Sequence, residues 1–147
     1  MLIVLEGCDG SGKTTIANNL KAVLPNAEII HCTTTTPNDF EFFKHLILAS
    51  CDRDIIADRF CYGQFVYQSK EERKLSWEEL IALEVAMLAA DAKVIHVTAP
   101  VNTIKARLSW RGEEPMHTVE DITDRYCILF GETLIKPHLW WTGSDTD

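Results

Sequence analysis

Positive charge is scarce in this sequence: 14 Lys and Arg stand against 22 Asp and Glu, a formal net charge of −8. A surface with that balance repels nucleic acid and anionic membrane, so neither is expected as a partner, and any phosphate binding has to come from a local site. No apolar run reaches the length of a membrane span. The N-terminus, MLIVLEG, lacks both a basic region and the small residues of a cleavage site. It reads as a first β-strand, not a signal peptide, and the cytosol is the expected compartment. Cys8, Cys32, Cys51, Cys61 and Cys127 form no CxxC pair and no metal-ligand spacing. They are expected to be reduced thiols filling small apolar volume. Glycine is sparse too, at seven in 147 residues, yet three of the seven fall between positions 7 and 12.

What is present alternates. The apolar run 2–6 opens the glycine-rich turn as a buried parallel strand would. Ile16, Leu20, Val23 and Leu24 then recur at helical spacing, and Pro25 follows. Further strands are expected over 28–31, 54–57 (ending at Asp58), 93–98 and 138–142, with helices over 39–50, 60–68, 77–90, 102–111 and 119–134. Ser76 and Glu79 are spaced as a capping box for the helix 77–90. That helix is apolar nearly all round, which predicts burial within the domain or against a second subunit. Strand–helix alternation of this kind means right-handed crossovers and a parallel sheet covered on both faces. The expected fold is thus α/β of the P-loop NTPase type, one domain over 1–147 around a five-stranded parallel sheet.

Residues 7–14 read GCDGSGKT, a full G-x-x-x-x-G-K-[ST] between a strand and a helix. Gly7, Gly10 and Gly12 let consecutive backbone N–H groups turn inward around an anion. The helix starting near Lys13 points its positive end at the same place. Lys13 is expected at the β and γ phosphates of ATP and the Thr14 hydroxyl on Mg²⁺, with Asp9, Ser11 and Thr15 completing the nucleotide-binding set. Asp58-Arg59 close the third strand. Strand C-termini form the ligand crevice of an open parallel sheet, so Arg59 is placed to clamp a phosphate. An internal Asp58–Arg59 ion pair is the alternative reading of the same two residues.

At this point the chain resembles thymidylate kinase. That family's EGxDGxGKTT appears as EGCDGSGKTT over 6–15, its DR-then-Tyr-Gln signature as DRFCYGQFVYQ over 58–68, and its RxxxRG as RLSWRG over 107–112. The resemblance implies ATP-dependent phosphorylation of a pyrimidine deoxynucleoside monophosphate: dTMP first, then dUMP or a 5-substituted dUMP. It implies that Asp9 holds the acceptor sugar, Arg59 the acceptor phosphate and Gln64 the pyrimidine edge. Tyr67 packs on the deoxyribose, and Arg107 and Arg111 lean over the transferred phosphate from a short lid at about 107–118. Thr142 and Ser144 border adenine, and a phenylalanine stacks on the base, for which Phe40, Phe42 and Phe43 lie in the matching helix. It also implies a homodimer through the helix 77–90. The chain departs from the family in its shortness, which is that of a compact, phage-type member. No arginine follows Arg111 in the lid segment GEEPMHT, CTTTTPN replaces the usual Pro-Arg loop, and no final helix is expected.

Two rival readings remain. A deoxynucleoside kinase would need a carboxylate base for its hydroxyl acceptor, a role open to Glu6 or Asp58. A P-loop ATPase or nucleotide-binding module would lack an acceptor pocket. Elsewhere, His31 and His96 read as structural histidines, Glu84 as reaching the site or pairing across a subunit interface, and Trp140 and Trp141 as packing one on each face of the last strand.

Overall fold

The computed structural model describes residues 1–33, 38–113 and 118–143. Its elements are β1 (Leu2–Glu6), α1 (Lys13–Val23), β2 (Glu28–His31), α2 (Phe40–Ala49), β3 (Ile55–Asp58), α3 (Gly63–Tyr67), α4 (Trp77–Ala89), β4 (Lys93–Thr98), α5 (Val101–Trp110), α6 (Val119–Glu132) and β5 (His138–Trp141). The strands form a single parallel sheet in the order β2-β3-β1-β4-β5. The alternation expected from sequence is therefore the fold.

Alternate residues of β1 serve opposite faces, as a pleat requires. Ile3 and Leu5 pack with Ile16, Ala17, Ile56 and Val97 on the side covered by α1. Leu2 and Val4 pack with Ile55, Ala57, Val94 and the inward residues of α2, α4 and α6 on the other. With β1 central, Glu6 ends between Asp58 of β3 and His96 of β4, and the strand order reverses direction there. That is where an α/β sheet opens its crevice.

Local chemistry sets the element ends. Asp39 caps α2 by accepting from the Phe42 N–H, and Ser76 with Glu79 forms the anticipated capping box of α4. The expected helix 60–68 is shortened to Gly63–Tyr67, and the Glu6 carboxylate accepts the Phe60 and Gly63 N–H groups at its start.

Two expectations fail, those for the tryptophans and for Glu84, and that for helix α4 is met only in part within this chain. Trp140 and Trp141 do not enter the core: they are 53% and 57% exposed, since β5 is an edge strand. Helix α4 is buried only along Leu80, Leu83, Glu84 and Met87, leaving Val85 and Leu88 in the open. Glu84 reaches neither the site nor another subunit. It accepts from Tyr62 Oη and the Ile135 N–H, each at 2.9 Å, and from the Leu134 N–H at 3.0 Å, tying α4 to the chain after α6. Among the described residues, no helix is long and apolar enough to cross a membrane.

Candidate active site

The turn from β1 into α1 is shaped by close approaches. A Cβ on Gly7 would lie 2.2 Å from the Val97 carbonyl oxygen, so the loop runs against β4 with no room for a side chain. Gly12 caps α1 at φ 104, a left-handed conformation that glycine adopts without strain. No side chain caps that helix, so its first N–H groups face the loop's concavity. Lys13 Nζ is folded back on the loop, donating to the Gly7 carbonyl at 2.9 Å and the Cys8 carbonyl at 3.2 Å. Burial, and then the neighbouring Arg59 charge, pull its pKa down to about 8. Beside it lies a cavity of about 150 Å³ lined by Thr14, Thr15, Asp58, Arg59, Asp9 and Arg111, among others. The Arg111 guanidinium is half exposed there, 3.9 Å from Glu113.

A larger cavity of about 520 Å³ adjoins it, and Asp9 and Arg59 belong to both. Arg59 is one of two non-glycine residues with positive φ among those described, at 65°. Its Nη2 donates to Asp9 Oδ1 and, at 3.1 Å, to Tyr67 Oη, and its guanidinium lies 4.4 Å from the centroid of the Tyr67 ring. Its Nε–H is enclosed without a partner. Asp58 and Arg59 do not pair with each other: Asp58 Oδ2 lies 3.1 Å from His31 Nδ1. This makes His31 a partnered histidine, and His96 is a buried one, its pKa lowered to about 4 by desolvation.

No protein-family model and no curated protein sequence matches this chain. Solved structures do. The YorR protein of Bacillus subtilis, in complex with phosphorylated GDP, matches at 28% identity with a TM-score of 0.74, over 97% of this chain and 85% of that one. Polyphosphate kinase 2 of Arthrobacter aurescens TC1 matches at 15% identity and TM-score 0.69, over 95% of this chain and 59% of that one. Thymidylate kinase of Candida albicans matches at 17% and 0.57, over 97% and 84%. The fold is that of the P-loop nucleotide kinases.

Within that P-loop kinase fold, the expected site residues are distributed unevenly. Gly10, Gly12, Lys13, Thr14, Thr15, Asp9, Arg59 and Arg111 converge on the smaller cavity, and Gln64 and Tyr67 line the larger one. Ser11 is fully buried, its hydroxyl unpartnered. Gln64 is already clamped: Nε2 donates to the Asn38 carbonyl, and Oε1 accepts from the Lys74 N–H at 2.9 Å. Arg107 lines neither cavity. It donates to the Gly10 carbonyl at 3.1 Å and to Thr142 Oγ1 and the Thr142 carbonyl at 3.0 and 2.8 Å, and Thr142 Oγ1 donates to the Ser11 carbonyl. Arg107 and Thr142 thus brace the P-loop from outside. Ser144 and lid residues 114–117 lie outside the described residues.

Phe42 and Phe43 line neither cavity. Phe43 is fully buried, edge-on to Phe60 with centroids 4.8 Å apart, and Phe42 packs edge-on to Phe43. Among the described residues, the aromatic ring on the larger cavity besides Tyr67 is Phe60. Its place directly after Asp58-Arg59 is the signal that could have marked it. Cys8 and Cys32 share that cavity, and burial pushes their thiols up to about 11 and about 12, so they are neutral there. Gln68, Glu72 and Lys74 complete its outer side, a role that the charged stretch KEERK does not advertise.

Proposed function

We propose that the chain is an ATP-dependent nucleoside monophosphate kinase whose acceptor is a pyrimidine deoxynucleotide, dTMP or a dUMP with or without a 5-substituent. The observation that carries the reading is Arg59, at the junction of the two cavities, with its Nη1 uncommitted among the described residues. An arginine fork with free N–H donors suits a phosphate that must lie in both spaces at once. An acceptor that already carries its phosphate needs no strong base, and catalysis rests on positioning and charge.

Each residue then has a task. Lys13 leaves its own loop for the β and γ phosphates, and Arg111 adds charge from the lid side. Arg107 and Thr142 hold the loop that faces them. Thr14 and Asp58 are hard oxygen donors lining one small cavity. This fits Mg²⁺, which takes few protein ligands and completes its shell with water and phosphate; when bound, it supplies positive charge to the phosphates. The Tyr67 ring, fixed by the Arg59 guanidinium, stands where a 2′-hydroxyl would go. The clamped Gln64 amide keeps one N–H and one acceptor position, matching the adjacent carbonyl and N–H of thymine or uracil. Guanine presents the same pair of groups, and the similarity to YorR, with its phosphorylated GDP, makes dGMP or GMP the second reading. A homodimer that covers Val85 and Leu88 of α4 is part of the proposal.

The test is product formation from ATP with dTMP, dUMP, 5-hydroxymethyl-dUMP, dCMP, dAMP, dGMP, GMP, UMP and the free nucleosides. Pyrimidine deoxynucleotides carrying N3–H are expected to lead. Preference for a guanine nucleotide selects the second reading, and preference for a nucleoside or for no acceptor refutes both.

A further inference from the structure

Glu6 is the last residue of β1 and has no solvent exposure. Its Oε2 accepts from the Phe60 N–H at 2.9 Å and from the Gly63 N–H at 3.2 Å, and its Oε1 accepts from Tyr126 Oη at 2.9 Å. Both oxygens are engaged, and Glu6 lines neither cavity. That placement removes it from reach of an acceptor hydroxyl and asks what else a buried carboxylate does here.

The answer lies in the turn it holds. Arg59 occupies the left-handed region at φ 65, a conformation that costs any residue with a Cβ and persists only where neighbours enforce it. Two consecutive residues of β1 enforce it. The Leu5 carbonyl accepts the Arg59 N–H at 2.8 Å, and the Glu6 carboxylate takes the very next N–H, that of Phe60. The same carboxylate fixes the first turn of α3 through Gly63, and α3 carries Tyr67, whose ring and hydroxyl hold the Arg59 guanidinium. The Glu6 carboxylate therefore supports both the backbone and the side chain of Arg59, beside the Leu5 carbonyl and Asp9.

We infer that Glu6 is a positioning residue for the acceptor-phosphate arginine, fixing the left-handed turn at Arg59 and the start of α3, and that it is not a general base. The inference rests on the reading of Arg59 as the acceptor-phosphate ligand.

The full-length chain is compared as wild type, Glu6→Ala, Glu6→Asp and Glu6→Gln. Glutamine keeps an oxygen for the two N–H groups and offers its own N–H to the Tyr126 oxygen. Expected are an acceptor KM raised about tenfold or more in Glu6→Ala, with the ATP KM within about threefold of wild type, and recovery of the acceptor KM to within about threefold in Glu6→Gln. Glu6→Asp withdraws the carboxylate by one methylene and is expected between them; it also serves if Glu6→Ala does not fold. A general base would lose kcat in Glu6→Gln while keeping its acceptor KM, and a merely structural residue would move both KM values alike; either result overturns the inference. A crystal structure of Glu6→Ala, or of Glu6→Asp, supplies a readout that needs no substrate. Arg59 leaving the left-handed region or losing Asp9 supports the inference, and Arg59 unmoved refutes it. If the wild type phosphorylates no nucleotide, the function proposal fails alone, and the crystallographic arm still decides this one.

Discussion

Replacing Arg59 by alanine puts the acceptor reading at greatest risk. Its Nη2 is committed to Asp9 and Tyr67, while Nε has no partner and Nη1 has none among the described residues. Nε is enclosed, so Nη1 is the donor open to a phosphate. One charge-assisted hydrogen bond contributes about 1.5–3 kcal/mol. The arginine side chain is 23% exposed, and screening argues for the lower end. About 1.5 kcal/mol corresponds to roughly a tenfold rise in acceptor KM. Freeing Asp9 costs little, because its side chain is 55% exposed. The ATP KM should stay within about threefold, since Lys13 and Arg111 are untouched. Steady-state kinetics with each substrate varied in turn measures both. Alanine inherits the left-handed strain and glycine does not, so Arg59→Gly should lose the same acceptor affinity yet melt no lower than Arg59→Ala. Equal rises in both KM values, or a rise for ATP alone, would refute the placement of Arg59 at the acceptor phosphate.

Two further outcomes concern stability. Glu84→Ala leaves the Tyr62 hydroxyl and the Leu134 and Ile135 N–H groups without their acceptor, and urea unfolding should register a loss of about 3–5 kcal/mol. Burial raises Glu6 from 4.5 to about 7 against the pull of the Phe60 N–H, Tyr126, Arg59 and Lys13. The folded state therefore holds this proton more tightly than the unfolded chain. The resulting stabilisation is full below about pH 4.5 and is lost as pH rises through about 7, by about 3 kcal/mol in all. The melting temperature of wild type relative to Glu6→Gln should fall across that window, and a constant difference would contradict it. His96, lowered to about 4, works in the opposite sense, its contribution lost as pH falls through about 4, and is common to both proteins.

The sheet was readable because each strand carries a short apolar run and each crossover a helical period. The P-loop was readable because its spacing is dictated by the backbone geometry that wraps an anion. What failed to read out depends on partners far away in sequence. Glu84 sits mid-helix among apolar neighbours, and nothing local says that two N–H groups beyond α6 need an acceptor there. The segment leading into α3 gives its Phe60 and Gly63 N–H groups to a carboxylate on β1, 54 and 57 positions earlier. Trp140 and Trp141 follow a strand pattern that cannot announce an uncovered edge. Among the phenylalanines, helical spacing could not separate Phe42 and Phe43, which pack away from the cavities, from Phe60, which lines one, because the choice is made by Phe43 packing edge-on to Phe60 and Phe42 edge-on to Phe43. Gln64 was marked by the resemblance to thymidylate kinase, yet the two backbone groups that clamp it lie in segments whose course the sequence leaves open.

The brace around the P-loop has a temporal consequence. Residues 7–14 are synthesised well before the residues that brace them: the Ser11 carbonyl is bonded to Thr142, 131 positions later, and the Gly10 carbonyl to Arg107, 97 positions later. Thr142 is itself held by the Thr98 carbonyl at the end of β4. A nascent chain that has made β1 and α1 owns the motif without its outer support, and keeps that status until β5 is in place. Phosphate affinity should thus wait for β5 and Thr142, although the loop that makes the contact is synthesised long before them.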